Sequence, residues 1–227
     1  MARLSEAMSQ QSDDLTLDEI RDVLAARIIG NAAFDGWSAE AVRNAALEAG
    51  IDPDVAAYAF RGGQMEMIDA ALGHVDRLML AALPAEELAN LKIRERISRL
   101  VRFRLNAFAG QEEALRRAHA IMAMPQNAVQ AMKLGWRSAD LMWRQAGDTS
   151  TDYNYYTKRT ILAGIYTATL AVFIDDHSEG KADTLAFLDR RIDGIMRFEK
   201  AKAQWTRKPE HSISISRFLG RLRYPAR

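Results

Sequence analysis

The sequence is punctuated as a succession of helix starts and stops, and this constrains the fold more than any other feature. Thr16-Leu-Asp-Glu19 has the form of a capping box, in which the threonine hydroxyl and the glutamate carboxylate satisfy each other's free backbone amides. Leu17, Ile20, Leu24 and Ile28 then recur at helical spacing. Phe34-Asp-Gly-Trp37 breaks this first helix. Ser38 is placed to cap a second, with Trp37 stapling onto Val42, and Gly50 ends it. Asp52-Pro53 opens a short third helix, with aspartate at the N-cap and proline in the first turn, and Gly62-Gly63 closes it. Three helices with a tight turn between the second and third have the helix-turn-helix outline. Further helices are predicted over 64–82, 85–108, 112–123, 125–146, 154–175 and 183–206, with Pro84 and Pro125 at first-turn positions. No segment carries the alternation of a strand, and there is no internal repeat. The fold class is therefore all-α: a flexible N-terminus (1–16), a helix-turn-helix-like subdomain (17–63), a larger helical region (64–206) and a detached tail (207–227).

Several chemistries are excluded by what the chain lacks. It has no cysteine, which removes disulfides, thiolate metal sites and a cysteine nucleophile. A carboxylate-bridged di-iron bundle needs Glu-x-x-His pairs; the residues three before His74, His119, His177 and His211 are Ala71, Arg116, Ile174 and Lys208. No glycine-rich phosphate loop is present. The first eleven residues lack both the apolar centre of a secretory signal and the arginine-rich character of a mitochondrial presequence. The uncharged run Thr160 to Ile174 is 15 residues long, short of the ~20 that span a bilayer. The expectation is an intracellular, non-enzymatic protein without metal or cofactor.

The net charge of +1 conceals an asymmetry. Residues 1–60 hold four arginines against eleven acids, whereas residues 197–227 hold nine cations against two acids. A reader of duplex DNA needs cations on the face presented to phosphate. The third helix, Pro53-Asp-Val-Ala-Ala-Tyr-Ala-Phe60, offers Asp54 and no Lys, Arg, Asn or Gln, so DNA binding is not expected. The basic end is different. Ile215, Phe218, Leu219 and Leu222 share one helical face flanked by Arg217, Arg221 and Arg223, the arrangement of a short helix lying on an anionic membrane.

In the central region, Val129, Met132, Trp136, Ala139 and Trp143 step by three and four along one stripe, and Ala163, Gly164, Ala168 and Ala171 form a small-residue surface. Arg104 falls among Ile93, Ile97, Leu100, Val101, Leu105 and Phe108, and a charge on an apolar face must be paired. Two readings stay open for it: a core ion pair, with Asp140 as one partner to consider, or a headgroup contact inside a cavity. Helix faces put Leu78, Ile97, Leu100, Val129, Met132, Trp136, Ile161 and Ile165 in the lining of such a cavity. Methionines at 65, 67, 79, 122, 124, 132 and 142 suit an irregular core or an adaptable pocket. Between two apolar helices, Ala146-Gly-Asp-Thr-Ser-Thr-Asp-Tyr-Asn-Tyr-Tyr-Thr-Lys-Arg159 collects three tyrosines, two carboxylates and two cations, a surface suited to contact.

That stretch, with Phe34-Asp-Gly-Trp37, Met124-Pro-Gln-Asn127, Leu141-Met-Trp143 and Phe187-Leu-Asp-Arg-Arg-Ile192, resembles the COQ9 family of ubiquinone-biosynthesis proteins over roughly residues 17–205. The resemblance implies a TetR-like fold whose helix-turn-helix has lost DNA binding, and a homodimer. It implies a hydrophobic pocket for lipid, either phospholipid or isoprenoid quinone intermediates, that serves a di-iron hydroxylase of the ubiquinone pathway. It also implies membrane contact through a C-terminal amphipathic helix, here on the cytoplasmic side of a bacterial inner membrane. The family's hydroxylase-docking patch maps onto Met142, Trp143, Asp152, Tyr155, Tyr156 and Arg159; relatives usually have tryptophan where this chain has Tyr155. The rival readings are a TetR-like transcriptional regulator with a small-molecule pocket and an enzyme with a cryptic site.

Overall fold

The computed structural model describes residues 15–151 and 153–206, with the side chains of Tyr153 and residues 195–206 left aside. Asp152, assigned to docking, and Ile215, Arg217, Phe218, Leu219, Arg221, Leu222 and Arg223, assigned to membrane contact, lie outside the described residues. The chain divides into two compact units, residues 1–189 and 190–227. Every described element is helical, as the sequence predicts.

Local capping chemistry produces the first three helices. Helix α1 (Leu17–Asp35) starts at the expected capping box: the Glu19 amide donates to Thr16 Oγ1 at 3.3 Å and the Thr16 amide to Glu19 Oε2 at 2.8 Å. Helix α2 (Ala39–Ala49) is capped by Ser38, which accepts from the Ala41 amide, and ends at Gly50 in the left-handed conformation (φ 69°). Such a stop favours a residue without Cβ. Helix α3 (Pro53–Ala59) begins on Asp52, whose carboxylate accepts from the Asp54 amide at 2.7 Å. Arg21 ties this unit together: its Nε donates to the Ala59 carbonyl at 2.7 Å, and its guanidinium pairs with Asp18 and Glu66.

The larger region contains α4 (Gln64–Ala82), α5 (Ala85–Leu88), α6 (Ile93–Asn106), α7 (Glu112–Met122), α8 (Ala128–Gln145), α9 (Tyr153–Asp175) and α10 (Ala182–Thr206), with 3-10 turns at Pro125–Asn127 and Glu179–Lys181. Helix α1 packs on α2, α4 and α7, while α9 packs mainly on α8. The core is drawn from Ile20, Leu24 and Ile28 of α1, Ile68, Val75 and Met79 of α4, Leu100 and Leu105 of α6, and Leu162 and Phe173 of α9. The boundary between the two units falls within the residues of α10.

Three sequence expectations need correction. The predicted helix over 85–108 is two helices with a turn between them. Arg96 stabilises that break, because its guanidinium takes the carbonyls of Ala89, Leu91 and Ala146 at 2.7, 2.9 and 2.8 Å. The stripe on α8 does not face inward along its length: Val129 and Met132 point to solvent, and the buried side is Leu134, Ser138, Ala139 and Met142. In α9 the buried residues include Leu162, Ile165, Tyr166, Thr169, Leu170 and Phe173, and the small-residue surface lies off that face, with Gly164 and Ala171 exposed and Ala163 and Ala168 half-buried. Trp37 also does more than staple the α2 corner. It is buried, and its indole N–H donates to the Ala114 carbonyl at the start of α7 at 2.8 Å, pinning the three-helix unit to the larger region.

Candidate functional site

Two features are built around α8 and α9: a polar and aromatic corner at one end, and an apolar cavity deeper in the bundle. The corner begins with Arg159. This guanidinium is almost fully buried and donates to Asp140 at 2.5 Å, to Asp148 at 3.0 Å and to the Tyr155 carbonyl at 3.1 Å. The Tyr155 ring lies 3.5 Å from the guanidinium carbon, and its hydroxyl donates to Asp140 at 3.1 Å. Asp140 also pairs with Arg144 at 2.5 Å. On the other side of Asp148, Lys158 donates at 2.7 Å and the Ser150 hydroxyl at 2.6 Å. The Lys158 ammonium sits 5.4 Å above the Trp143 ring, whose N–H donates back to the Lys158 carbonyl at 3.0 Å.

These contacts explain why a polar loop is ordered here. A buried guanidinium is tolerable only when its charge is met and its donors are used, and two carboxylates meet it. Burial alone would raise the Asp148 carboxyl. Hydrogen bonds from Lys158, Ser150 and Arg159 outweigh burial and hold it at about 2. Asp140 is likewise pushed up by burial but held below the usual carboxylate range by Arg159, Tyr155 and Arg144. Burial lowers the Arg159 guanidinium, and the two aspartates more than restore it.

Above this ionic base sits an aromatic ridge. Tyr155 and Tyr156 meet edge to face with centroids 5.1 Å apart, and Trp136 lies 6.2 and 6.0 Å from them. Tyr156 is 61% exposed. Along α8 the ridge continues through Met132 and Val129, which are 68% and 62% exposed. Large apolar side chains gathered on a surface mark a place where something binds.

The residues assigned to docking thus divide. Tyr156 faces solvent, while Tyr155 and Trp143 are half-buried. Met142 and Arg159 are buried, and they hold the ridge from below instead of presenting themselves to a partner. Their place on an inward helix face decides this.

The cavity encloses about 300 Å3 and is lined by Trp37, residues of α4 (Ile68, Leu72), α7 (Leu115, His119, Met122), α8 (Leu134, Ser138) and α9 (Tyr166, Leu170), with Phe108. None of the residues assigned to it from helix faces lines it. Ile97, Leu100 and Ile165 pack in the core, Trp136 and Ile161 are half-buried elsewhere, and Leu78, Val129 and Met132 are exposed. The inward face of α8 mixes Leu134 and Met142 with Ser138 and Ala139, and its outer face carries Val129 and Met132, so a search for apolar stripes does not separate the two. Arg104 pairs with Asp76 rather than Asp140, donates to Ser138 at 2.9 Å, and stacks on the Tyr166 ring at 5.0 Å. Of its two open readings, the core ion pair is what the structure contains, and Arg104 itself does not line the cavity. Trp37, Ser138 and Tyr166 carried no signal in the sequence as lining residues. Asp148 stood inside the polar motif, but nothing in its spacing named Arg159 as its partner.

Among the described residues, no three His, Cys, Asp or Glu side chains are grouped to hold a metal ion, and no helix is long and apolar enough to cross a membrane.

A sequence model of the COQ9 family matches residues 128–199, which span the corner and most of the cavity's α8 and α9 walls. The chain is similar to the ubiquinone biosynthesis protein COQ9, mitochondrial, of Rattus norvegicus, 34% identical over 168 residues that cover 71% of this chain and 54% of the rat protein. The Homo sapiens COQ9 is 30% identical over 167 residues, covering 71% of this chain and 52% of its own length. COQ9-B of Xenopus laevis is 30% identical over 207 residues, or 86% of this chain and 69% of the frog protein. The chain spans about half the length of the mammalian relatives. Among solved structures, a TetR transcriptional regulator from Nitrosomonas europaea superposes with a TM-score of 0.61, covering 77% of this chain and 97% of that one. At 24% identity this likeness shows the fold alone, a TetR-like all-α bundle. On its 30% identity to the frog COQ9-B, of which it covers 69%, the chain belongs to the COQ9 family.

Proposed function

We propose that the protein is a non-catalytic lipid-binding protein of ubiquinone biosynthesis, which presents isoprenoid quinone intermediates to a membrane-associated di-iron hydroxylase. The observation that carries this reading is the coexistence, on two adjacent helices, of an apolar cavity and an exposed aromatic ridge. A carrier needs both: a dry place for the apolar cargo and a surface for the protein that receives it. A cavity of about 300 Å3 holds a ring or a few isoprene units and not a whole long-chain lipid, so the remainder of the cargo runs out of it. Relatives named for ubiquinone biosynthesis supply the pathway. Homodimerisation, and membrane contact through the basic tail, complete the proposal.

The alternative, a TetR-like regulator, is disfavoured by the third helix. Its outward residues include Asp54, Val55 and Tyr58, with Arg61 stacked on Tyr58 at 5.3 Å. Native mass spectrometry of the full chain, after incubation with liposomes containing polyprenylated phenols and quinones, tests the carrier reading. Retention of such a lipid by the folded protein is expected. A protein that arrives without lipid and takes up none from the liposomes would overturn it.

A further inference from the structure

The polar atoms around the cavity are not evenly placed. His119 is half-buried and Thr167 exposed, so they belong to its outer side. Ser138 and Tyr166 are 1% and 3% exposed and belong to its inner side. The Trp37 N–H is already used by the Ala114 carbonyl. Nearly all the rest of the lining is aliphatic or aromatic.

Ser138 and Tyr166 converge on one buried cation. Arg104, 0% exposed, donates from Nη2 to Ser138 Oγ at 2.9 Å and has its guanidinium carbon 5.0 Å from the Tyr166 ring centre. In that bond the serine oxygen is the acceptor, so its own hydrogen remains available to donate. A hydroxyl that accepts from a guanidinium is polarised and becomes the stronger donor. The Tyr166 hydroxyl is also buried and has no hydrogen-bonding partner among the described residues. Leaving a buried hydroxyl unpaired is costly. The inner wall of an otherwise apolar cavity therefore carries donor capacity that the fold itself does not consume.

We propose that this wall recognises the oxygen of an aromatic or quinoid ring inserted ring first, with Ser138 donating to that oxygen and Arg104 acting through Ser138 as a positioning residue. The inference rests on the lipid-carrier reading and adds to it the orientation of the cargo. With a hydrocarbon tail in the cavity, donors at its inner end would stay unused. With a carbonyl or phenol ring there, they are paired, and the volume of about 300 Å3 matches one substituted ring with the start of its chain. The chain then leaves past His119 and Thr167.

The test uses the full-length protein and two probes, a benzoquinone bearing one prenyl group and the prenylbenzene of the same chain. Affinities are read by calorimetry, and the carbonyl stretch of the bound quinone by infrared difference spectroscopy with a 13C-labelled carbonyl. The quinone is expected to bind about five- to tenfold more tightly than the hydrocarbon, the usual effect of one good hydrogen bond, with its carbonyl band shifted down. Ser138→Ala should abolish the shift and bring the ratio of quinone to prenylbenzene affinity to about one, and Ser138→Thr should keep both the shift and the preference. An Ala variant that retains the preference would overturn the inference while leaving the carrier reading intact. Failure of both probes to enter the wild-type protein would count against both readings. Should Ser138→Ala fail to fold, the wild-type spectrum decides alone: a bound quinone with an unshifted carbonyl band overturns the proposal.

Discussion

Asp148→Asn isolates the ionic base of the aromatic ridge. The substitution keeps the shape of the side chain and removes its charge, while Lys158 and Arg159 remain in place at 2.7 and 3.0 Å. The Asp148 side chain is 5% exposed, so solvent screens these contacts little. Its carboxyl is held at about 2 against an ordinary value of 3.8. Through linkage, a depression of that size corresponds to about 2 kcal/mol of stability at neutral pH. The sign follows from the direction. A carboxyl depressed in the folded state stabilises fully above its unfolded value, and that stability fades as pH falls toward the folded value. The difference between wild type and Asp148→Asn should thus be about 2 kcal/mol at pH 7, about 1 kcal/mol at pH 3, and close to nothing below pH 2. Urea denaturation of both proteins across this range measures it, and taking the difference cancels the carboxyls they share. A difference at pH 7 of under about 0.5 kcal/mol, or one that stays constant down to pH 3, would refute the assignment of Asp148 as the anchor of this corner.

Other perturbations separate surface from support. Tyr156→Ala should weaken binding to the proposed hydroxylase partner at least tenfold, as interface aromatics do, while changing unfolding free energy by no more than about 1 kcal/mol; surface plasmon resonance beside a denaturation curve reads both, and a large stability loss would place the ring in the core. Arg104→Ala strands Asp76 in the interior and should cost about 3–5 kcal/mol, with much of the loss recovered by also changing Asp76 to Leu. If the single and double variants are equally unstable, the Arg104–Asp76 pair is not the source. Duplex DNA should show no salt-sensitive retardation with the purified protein at micromolar concentration, and a clear salt-dependent shift would restore the regulator reading.

What the sequence made legible was local. The capping box at Thr16, the serine cap at Ser38 and the Asp52-Pro53 start each rest on residues within three or four positions of one another, and each forms as predicted. The polar and aromatic corner between Ala146 and Arg159 was visible from its composition. What stayed hidden depends on partners far along the chain. The break between α5 and α6 is held by Arg96 reaching Ala146, fifty residues away. The partner of Arg104 lies on α4, and no spacing rule distinguishes Asp76 from Asp140. The choice of face on α8 failed for a different reason: both sides carry large apolar residues, Leu134 and Met142 inside and Val129 and Met132 outside, so hydrophobicity alone does not pick the buried one.

Trp37 has a dual placement whose consequence is thermodynamic. The same indole closes one side of the cavity and bonds the start of α7 to the turn between α1 and α2. Occupancy of the cavity and the seating of the N-terminal helices therefore share one free-energy cycle. A cargo that packs against Trp37 tightens the α1–α2 corner. By reciprocity, any event that loosens that corner lowers cargo affinity by the same factor. In this chain the third helix presents Asp54, Val55 and Tyr58 outward; under the proposed carrier function, whatever grips the N-terminal helices would set when the cargo is let go.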